Sequence, residues 1–94
     1  MSQTSAYKIR LKTDSADSSA ILLFEGGALV AVLVQLADES HGDDRGQWTI
    51  EATFGLNAHR RPNLFVSAKA AADWVSLHIC REEFIVNEMM AEIG

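Results

Sequence analysis

The segment around Gly26-Gly27 constrains the fold of this chain more than any other. Apolar runs at 20–24 and 28–34 flank the two glycines. Adjacent glycines tolerate the positive φ angles that the tight turn of a β-hairpin needs. Both runs are apolar at successive positions, whereas a strand with one wet face alternates between apolar and polar residues. The sequence therefore predicts a hairpin that is apolar on both faces, so both sides of its sheet must be shielded from water by other residues.

The length and composition of the chain predict one small domain over 1–94 with a single core. The apolar run at 28–34 is too short to span a bilayer, and the first residues lack the apolar stretch of a signal peptide. A single cysteine, Cys80, is incompatible with an internal disulfide and fits a reducing compartment. We therefore expect a cytoplasmic protein.

Two further strands and a helix are visible in the sequence. Residues 7–12 and 47–54 alternate between apolar and polar side chains, as half-buried strands do. The positions predicted to face the core are Tyr7, Ile9, Leu11, Trp48, Ile50, Ala52 and Phe54. Residues 68–79 favour a helix and follow Ser67, a suitable N-cap. A second, short helix is predicted over 81–92.

The element order β-β-β-β-α predicts an α+β fold, in which an antiparallel four-stranded sheet carries a C-terminal helix on one face. A two-residue turn at Gly26-Gly27 would place Phe24 opposite Leu29 and Leu23 opposite Val30. The first strand would then put Lys8 and its neighbouring cations on the side away from the helix. That side would be polar at its flanks and aliphatic at its centre.

This aliphatic strip needs a cover. Burying four such side chains is worth about 6–12 kcal/mol, which is comparable with the whole stability of a small domain. The C-terminal segment could fold back over the strip, but an exposed apolar patch usually marks an interface, and two-fold dimers are the commonest oligomers. We expect a non-catalytic binding or interaction module that is homodimeric through the sheet or the C-terminal segment. The candidate interface residues are Ile21, Leu23, Val30, Val32, Val34, Phe84 and Met89, or, in the other register, Leu22, Phe24, Leu29 and Leu33.

A nucleic-acid-binding protein is the alternative. Three strands followed by a helix resemble, in element order only, the sheet-based DNA readers such as integrase arm domains. The cations that would contact a phosphate backbone are Lys8, Arg10, Lys12, Arg60 and Arg61. The net charge of -5 is a poor match for this function, because phosphate binding depends on many lysines and arginines.

Enzymatic chemistry is the weakest prediction. The acidic loop at 38–46 contains metal-ligand residue types, and a small metal-dependent enzyme could use His41, Asp43 and His59. The spacing does not match a calcium loop, and no nucleophile motif is present. His78 is predicted to be a partly buried packing residue, and Cys80 an inert thiol. We therefore predict no catalytic residue, no metal and no cofactor.

Overall fold

An antiparallel sheet forms the body of the protein in the computed structural model, which describes residues 4–12, 17–54, 62, 64–80, 84 and 92–93. The strands are β1 (Thr4–Arg10), β2 (Ser19–Glu25), β3 (Ala28–Gln35) and β4 (Trp48–Thr53), and they are followed by helix α1 (Ala68–Val75). A two-residue strand, β5 (Glu92–Ile93), pairs in parallel with β1, so the strand order is β4-β3-β2-β1-β5. The predicted α+β fold, with its four antiparallel strands and C-terminal helix, is confirmed.

The turn between β2 and β3 has the predicted conformation. Gly26 and Gly27 have φ angles of 60° and 82°, both in the left-handed region that favours glycine. Glu25 pairs with Ala28 and Phe24 with Leu29, as a two-residue turn requires.

Beyond the turn, the predicted register is wrong. A β-bulge follows the Phe24–Leu29 pair, so that Leu23 lies opposite Ala31 and Leu22 opposite Val32. The extra residue on β3 is Val30, and every later pair is shifted by one position. Because side chains alternate between faces, this shift decides which residues of β3 reach the helix.

The core lies between the sheet and α1. Ile21 and Leu23 of β2, together with Ala31 and Leu33 of β3, are buried in one apolar cluster. The other buried members of that cluster are Val30, Trp48, Ile50, Phe65, Ala71, Ala72, Val75 and Phe84. Alanines at the helix contact allow α1 to approach the sheet closely.

The start of α1 follows the prediction and its end does not. The Ser67 Oγ accepts a hydrogen bond from the backbone N–H of Ala70 at 3.0 Å, which makes Ser67 the N-cap. The α-helix ends at Val75 instead of residue 79, and a π-helical turn continues over Ser76–Cys80. Of the second predicted helix, only Phe84 and Glu92 lie among the described residues, and Glu92 belongs to β5.

Two strands present different faces from those predicted. In β1, Ala6 packs against the core cluster, while Tyr7 pairs with Leu22 on the side away from α1. In β4, Trp48 and Ile50 are buried as predicted, but a second bulge shifts Ala52 opposite Val32. The prediction that Tyr7, Ile9 and Ala52 face the helix is therefore wrong, and so is the predicted burial of Phe54, which is 50% exposed.

Candidate interaction surface

The sheet has two faces of different character. Directly paired residues of neighbouring antiparallel strands lie on the same face of the sheet, so the pairing shows to which face each strand residue belongs. We call the side that packs against α1 the helix face, and the other side the open face. The open face consists of Ser5, Tyr7 and Ile9 of β1, Phe24, Leu22 and Ala20 of β2, Leu29, Val32 and Val34 of β3, and Ala52 and Thr49 of β4.

The open face is apolar and accessible. Leu22, Phe24, Leu29 and Val32 are only half-buried, and Tyr7 is 39% exposed. Ser5 and Thr49 are its polar members, and no charged residue is a cross-strand partner on this face of the described strands. A contiguous apolar surface of this kind is unusual on a monomer and is typical of an interface.

An aromatic pair stands near one edge of the open face. The rings of Tyr7 and Phe24 lie edge to face, with centroids 5.6 Å apart and planes at 78°. This geometry is favourable because the positive ring edge meets the negative ring face. The contact joins the side chains of adjacent strands on the open face.

The two ends of the open face differ in burial. Ala20 and Val34 pair with each other at the end nearest the 38–46 loop, and both are buried, at 0% and 5% exposure. Neither belongs to the core cluster beneath α1. The accessible part of the open face therefore begins at the Leu22–Val32 pair and extends toward the hairpin turn.

The predicted interface residues do not form one surface. Ile21, Leu23, Val30 and Phe84 are buried in the core of the single chain. Val32 and Val34 lie on the open face. Of the residues named for the other register, Leu22, Phe24 and Leu29 are on the open face and Leu33 is in the core. Met89 lies outside the described residues. Because of the bulge in β3, each of the two predicted sets of interface residues contains members of both the open face and the core. A regular hairpin would have placed each set on one face.

The cations proposed for nucleic-acid binding are also placed differently. Lys8 pairs with Ile21 and Arg10 with Ser19, so both lie on the helix face. Lys12 is exposed just after β1, and Arg60 and Arg61 fall outside the described residues. The described part of the sheet therefore offers no row of cations on its apolar open face.

The sequence prediction missed an anchor for the 38–46 loop. This loop contains a 3₁₀ turn over Glu39–Asp44. The Asp17 Oδ1 accepts hydrogen bonds from the backbone N–H groups of Ala37 at 2.6 Å and Asp38 at 2.8 Å. Its Oδ2 lies 2.6 Å from His41 Nε2, which donates, because an ionised carboxylate can only accept.

These bonds lower the pKa of the Asp17 carboxyl. The largest cause is the N–H of Ala37, and the bonds from His41 and Asp38 act in the same direction against the opposing effect of desolvation. Asp17 thus ties the segment before β2 to the turn after β3. No sequence motif signals this contact, because 24 residues separate Asp17 from His41.

The remaining candidate chemistry has structural explanations. Among the described residues, no group of three or more histidines, cysteines, aspartates or glutamates is placed to hold a metal ion. His41 is engaged by Asp17, and His59 lies outside the described part of the chain. His78 is exposed, contrary to prediction, but its ring stacks on Trp74 at 4.4 Å and its Nδ1 lies 2.9 Å from the Trp74 carbonyl oxygen.

Comparison with models of known protein families, with curated proteins and with solved structures found no match. None of the helices in the described part of the chain is long and apolar enough to cross a membrane.

Proposed function

We propose that this protein is a non-catalytic interaction module that forms a homodimer through the open face of its sheet, in the cytoplasm. The observation that carries the proposal is the accessible apolar centre of that face, formed by Leu22, Phe24, Leu29 and Val32 beside the exposed ring of Tyr7. In the described structure, α1 packs on the other face. Among the described residues, no helix covers the open face.

The energy of covering the open face supports association. If each of these four partly buried side chains gains at most about a third of a full burial, one copy contributes up to about 2–4 kcal/mol and two copies up to about 4–8 kcal/mol. The cost of bringing two proteins together is of similar size, about 4–15 kcal/mol. A dimer that assembles at micromolar concentration needs a net free energy of about −8 kcal/mol, so the other apolar side chains of the open face, including the 39% exposed Tyr7, must contribute to the interface as well.

A second copy of the chain suits this surface better than a charged partner does. The cross-strand partners on the open face include no lysine, arginine, aspartate or glutamate, so a charged ligand would find no counter-ion there. Two identical apolar faces bury each other without leaving an unpaired charge. Closed two-fold association also uses the same patch on both copies.

Sedimentation velocity across a micromolar concentration series tests the proposal. The wild-type chain should shift from monomer to dimer, and Val32→Glu should remain monomeric, because it places a carboxylate at the centre of the open face. Val66→Glu is the control, since Val66 is 82% exposed and is not a cross-strand partner on the open face. Circular dichroism verifies that both variants are folded. A wild-type chain that stays monomeric at high micromolar concentration would remove the proposal.

A further inference from the structure

We infer that Glu51 prevents copies of this chain from pairing through the outer edge of β4, and thereby confines their association to other surfaces. β4 is the first strand in the order β4-β3-β2-β1-β5, so one of its edges has no neighbouring strand among the described strands. Such an edge presents backbone N–H and C=O groups with which a strand of a second copy can pair, and natural proteins protect it. This inference goes beyond the proposed homodimer and does not depend on it.

One end of this edge is occupied by the chain itself. The Trp48 N–H donates to the Phe65 carbonyl oxygen, and the Phe65 N–H donates to the Trp48 carbonyl oxygen, both at 2.8 Å. In the described part of the chain, this bridge is the only pairing along the outer edge of β4. The stretch from Ile50 to Thr53 is therefore the place where a second copy could add a strand.

A bulge interrupts this uncovered stretch. Ile50 pairs with Leu33 and Ala52 pairs with Val32, so Glu51 is the extra residue on β4. Its side chain is exposed. A bulge bends and twists a strand locally and leaves one residue outside the regular ladder. The bulge thus places a charged residue in the middle of the edge that needs protection.

The bulge also spaces the outward backbone groups of β4 unevenly. The bridge shows that Trp48 points away from β3, and alternation along the strand directs Ile50 the same way. The Phe54 N–H donates to the Val30 carbonyl oxygen at 2.8 Å, so Phe54 points toward β3 and Thr53 points away from it. The outward groups therefore lie at positions 50 and 53, whereas a regular partner strand bonds at every second residue. Such a strand cannot bond to both.

The Glu51 carboxylate adds an electrostatic cost to edge pairing. Two copies that pair through β4 about a two-fold axis run antiparallel, and the bridge at Trp48 leaves the stretch 50–53 for their contact. This pairing brings the two copies of Glu51 to neighbouring positions. Like charges at such positions are destabilising, and covering an unpaired carboxylate costs further free energy. The bulge and the charge thus act together at one residue.

The opposite edge of the sheet is protected by different means. There, β5 pairs with Lys8 and Ile9 along the outer side of β1. β5 is itself only two residues long, and very short edge strands offer little for a second copy to pair with. Among the described strands, β4 is therefore the one whose protection depends on a side chain.

Sedimentation velocity of charge-removing variants tests this role. Glu51→Val is made in a Tyr7→Glu background, which places a carboxylate on the open face, far from β4, and so opposes association through that face. Glu25→Val in the same background is the matched control, because Glu25 pairs with Thr4 on one side and Ala28 on the other, inside the sheet. Both variants exchange one carboxylate for the same side chain, but only Glu51→Val changes the uncovered edge. Circular dichroism verifies that each chain is folded.

We expect Glu51→Val to form dimers and larger species at concentrations where the Tyr7→Glu parent and the Glu25→Val control are monomeric. The amide of Ile50 or Thr53 should then exchange its hydrogen several-fold more slowly at high concentration than at low concentration. If Glu51→Val does not fold, Glu51→Gln replaces it, since glutamine keeps the size of the side chain and removes the charge. Its association should be weaker but in the same direction.

Three results overturn the inference: folded Glu51 variants that stay as monomeric as their parent, equal association of the Glu25→Val control, or association that leaves the exchange of both edge amides unchanged. None of them bears on the homodimer, because the Tyr7→Glu background opposes association through the open face. Conversely, a wild-type chain that stays monomeric removes the homodimer and leaves the result for Glu51 standing.

Discussion

The two faces of this sheet are built from neighbouring residues of the same strands, yet they have different environments. On β2, Leu23 is fully buried in the core cluster, while Leu22 beside it is partly exposed on the open face. On β3, Leu33 is fully buried and Val32 is partly exposed. Apolar character alone therefore does not distinguish core from interface in this hairpin. The distinction comes from which face the helix covers.

The largest expected effect separates the two leucines of β2. Leu23→Ala should destabilise the fold by about 2–5 kcal/mol, because it leaves a cavity beneath α1. Leu22→Ala should cost less in the monomer, about 1 kcal/mol, since its side chain is only partly buried, and it should also weaken the dimer. Urea unfolding at submicromolar concentration measures the first effect and sedimentation the second. Equal losses of monomer stability would contradict the division into two faces.

The next effect concerns the Asp17 contact, which adjoins the buried end of the open face. Asp17→Ala removes the acceptor for the N–H groups of Ala37 and Asp38 and for His41. Hydrogen bonds to a charged group contribute about 1.5–3 kcal/mol, so we expect a loss of that size in urea unfolding. Hydrogen exchange should also become faster at Ala37 and Asp38. Unchanged exchange at these two amides would show that the carboxylate does not hold the turn.

The same contact predicts a pH dependence. The folded state lowers the pKa of Asp17, so it favours the ionised carboxylate more than the unfolded chain does. This stabilisation is fully present above the ordinary carboxyl pKa and is lost as the pH falls through the lower folded value. The stability difference between wild type and Asp17→Ala should therefore shrink in acid. A difference that stays constant as the pH falls below the folded pKa would argue against an ionised Asp17.

A smaller effect tests the aromatic pair on the open face. The edge-to-face contact of Tyr7 and Phe24 should give a coupling of about 0.5–1.5 kcal/mol in a double-mutant cycle with alanine. Unfolding at submicromolar concentration isolates the contribution within one chain. Tyr7→Ala combined with Val66→Ala is the distant control and should be additive. Additivity of the Tyr7 and Phe24 variants would mean that the rings contribute only through burial.

Features that depend on a few adjacent residues were predictable from the sequence. Gly26-Gly27 predicted the turn because its conformation needs two residues that accept positive φ. Ser67 predicted the start of α1 because an N-cap bonds to an N–H only three residues later. The candidate surface was predictable only in part. A hairpin that is apolar on both faces indicated a face without a cover, but it did not show which residues form that face.

The sequence by itself determined the four strands, the hairpin turn, the helix start and the excess of apolar residues at the hairpin. Only the tertiary structure decided where each apolar residue is buried. Bulges in β3 and β4 shift the register by one residue, and each shift moves later side chains to the opposite face. A bulge arises from how strands pair across the sheet and how the helix packs on them, and the Asp17–His41 contact likewise joins distant segments. Such interactions are absent from any local window of the sequence, so the face that meets a partner appears only in the folded chain.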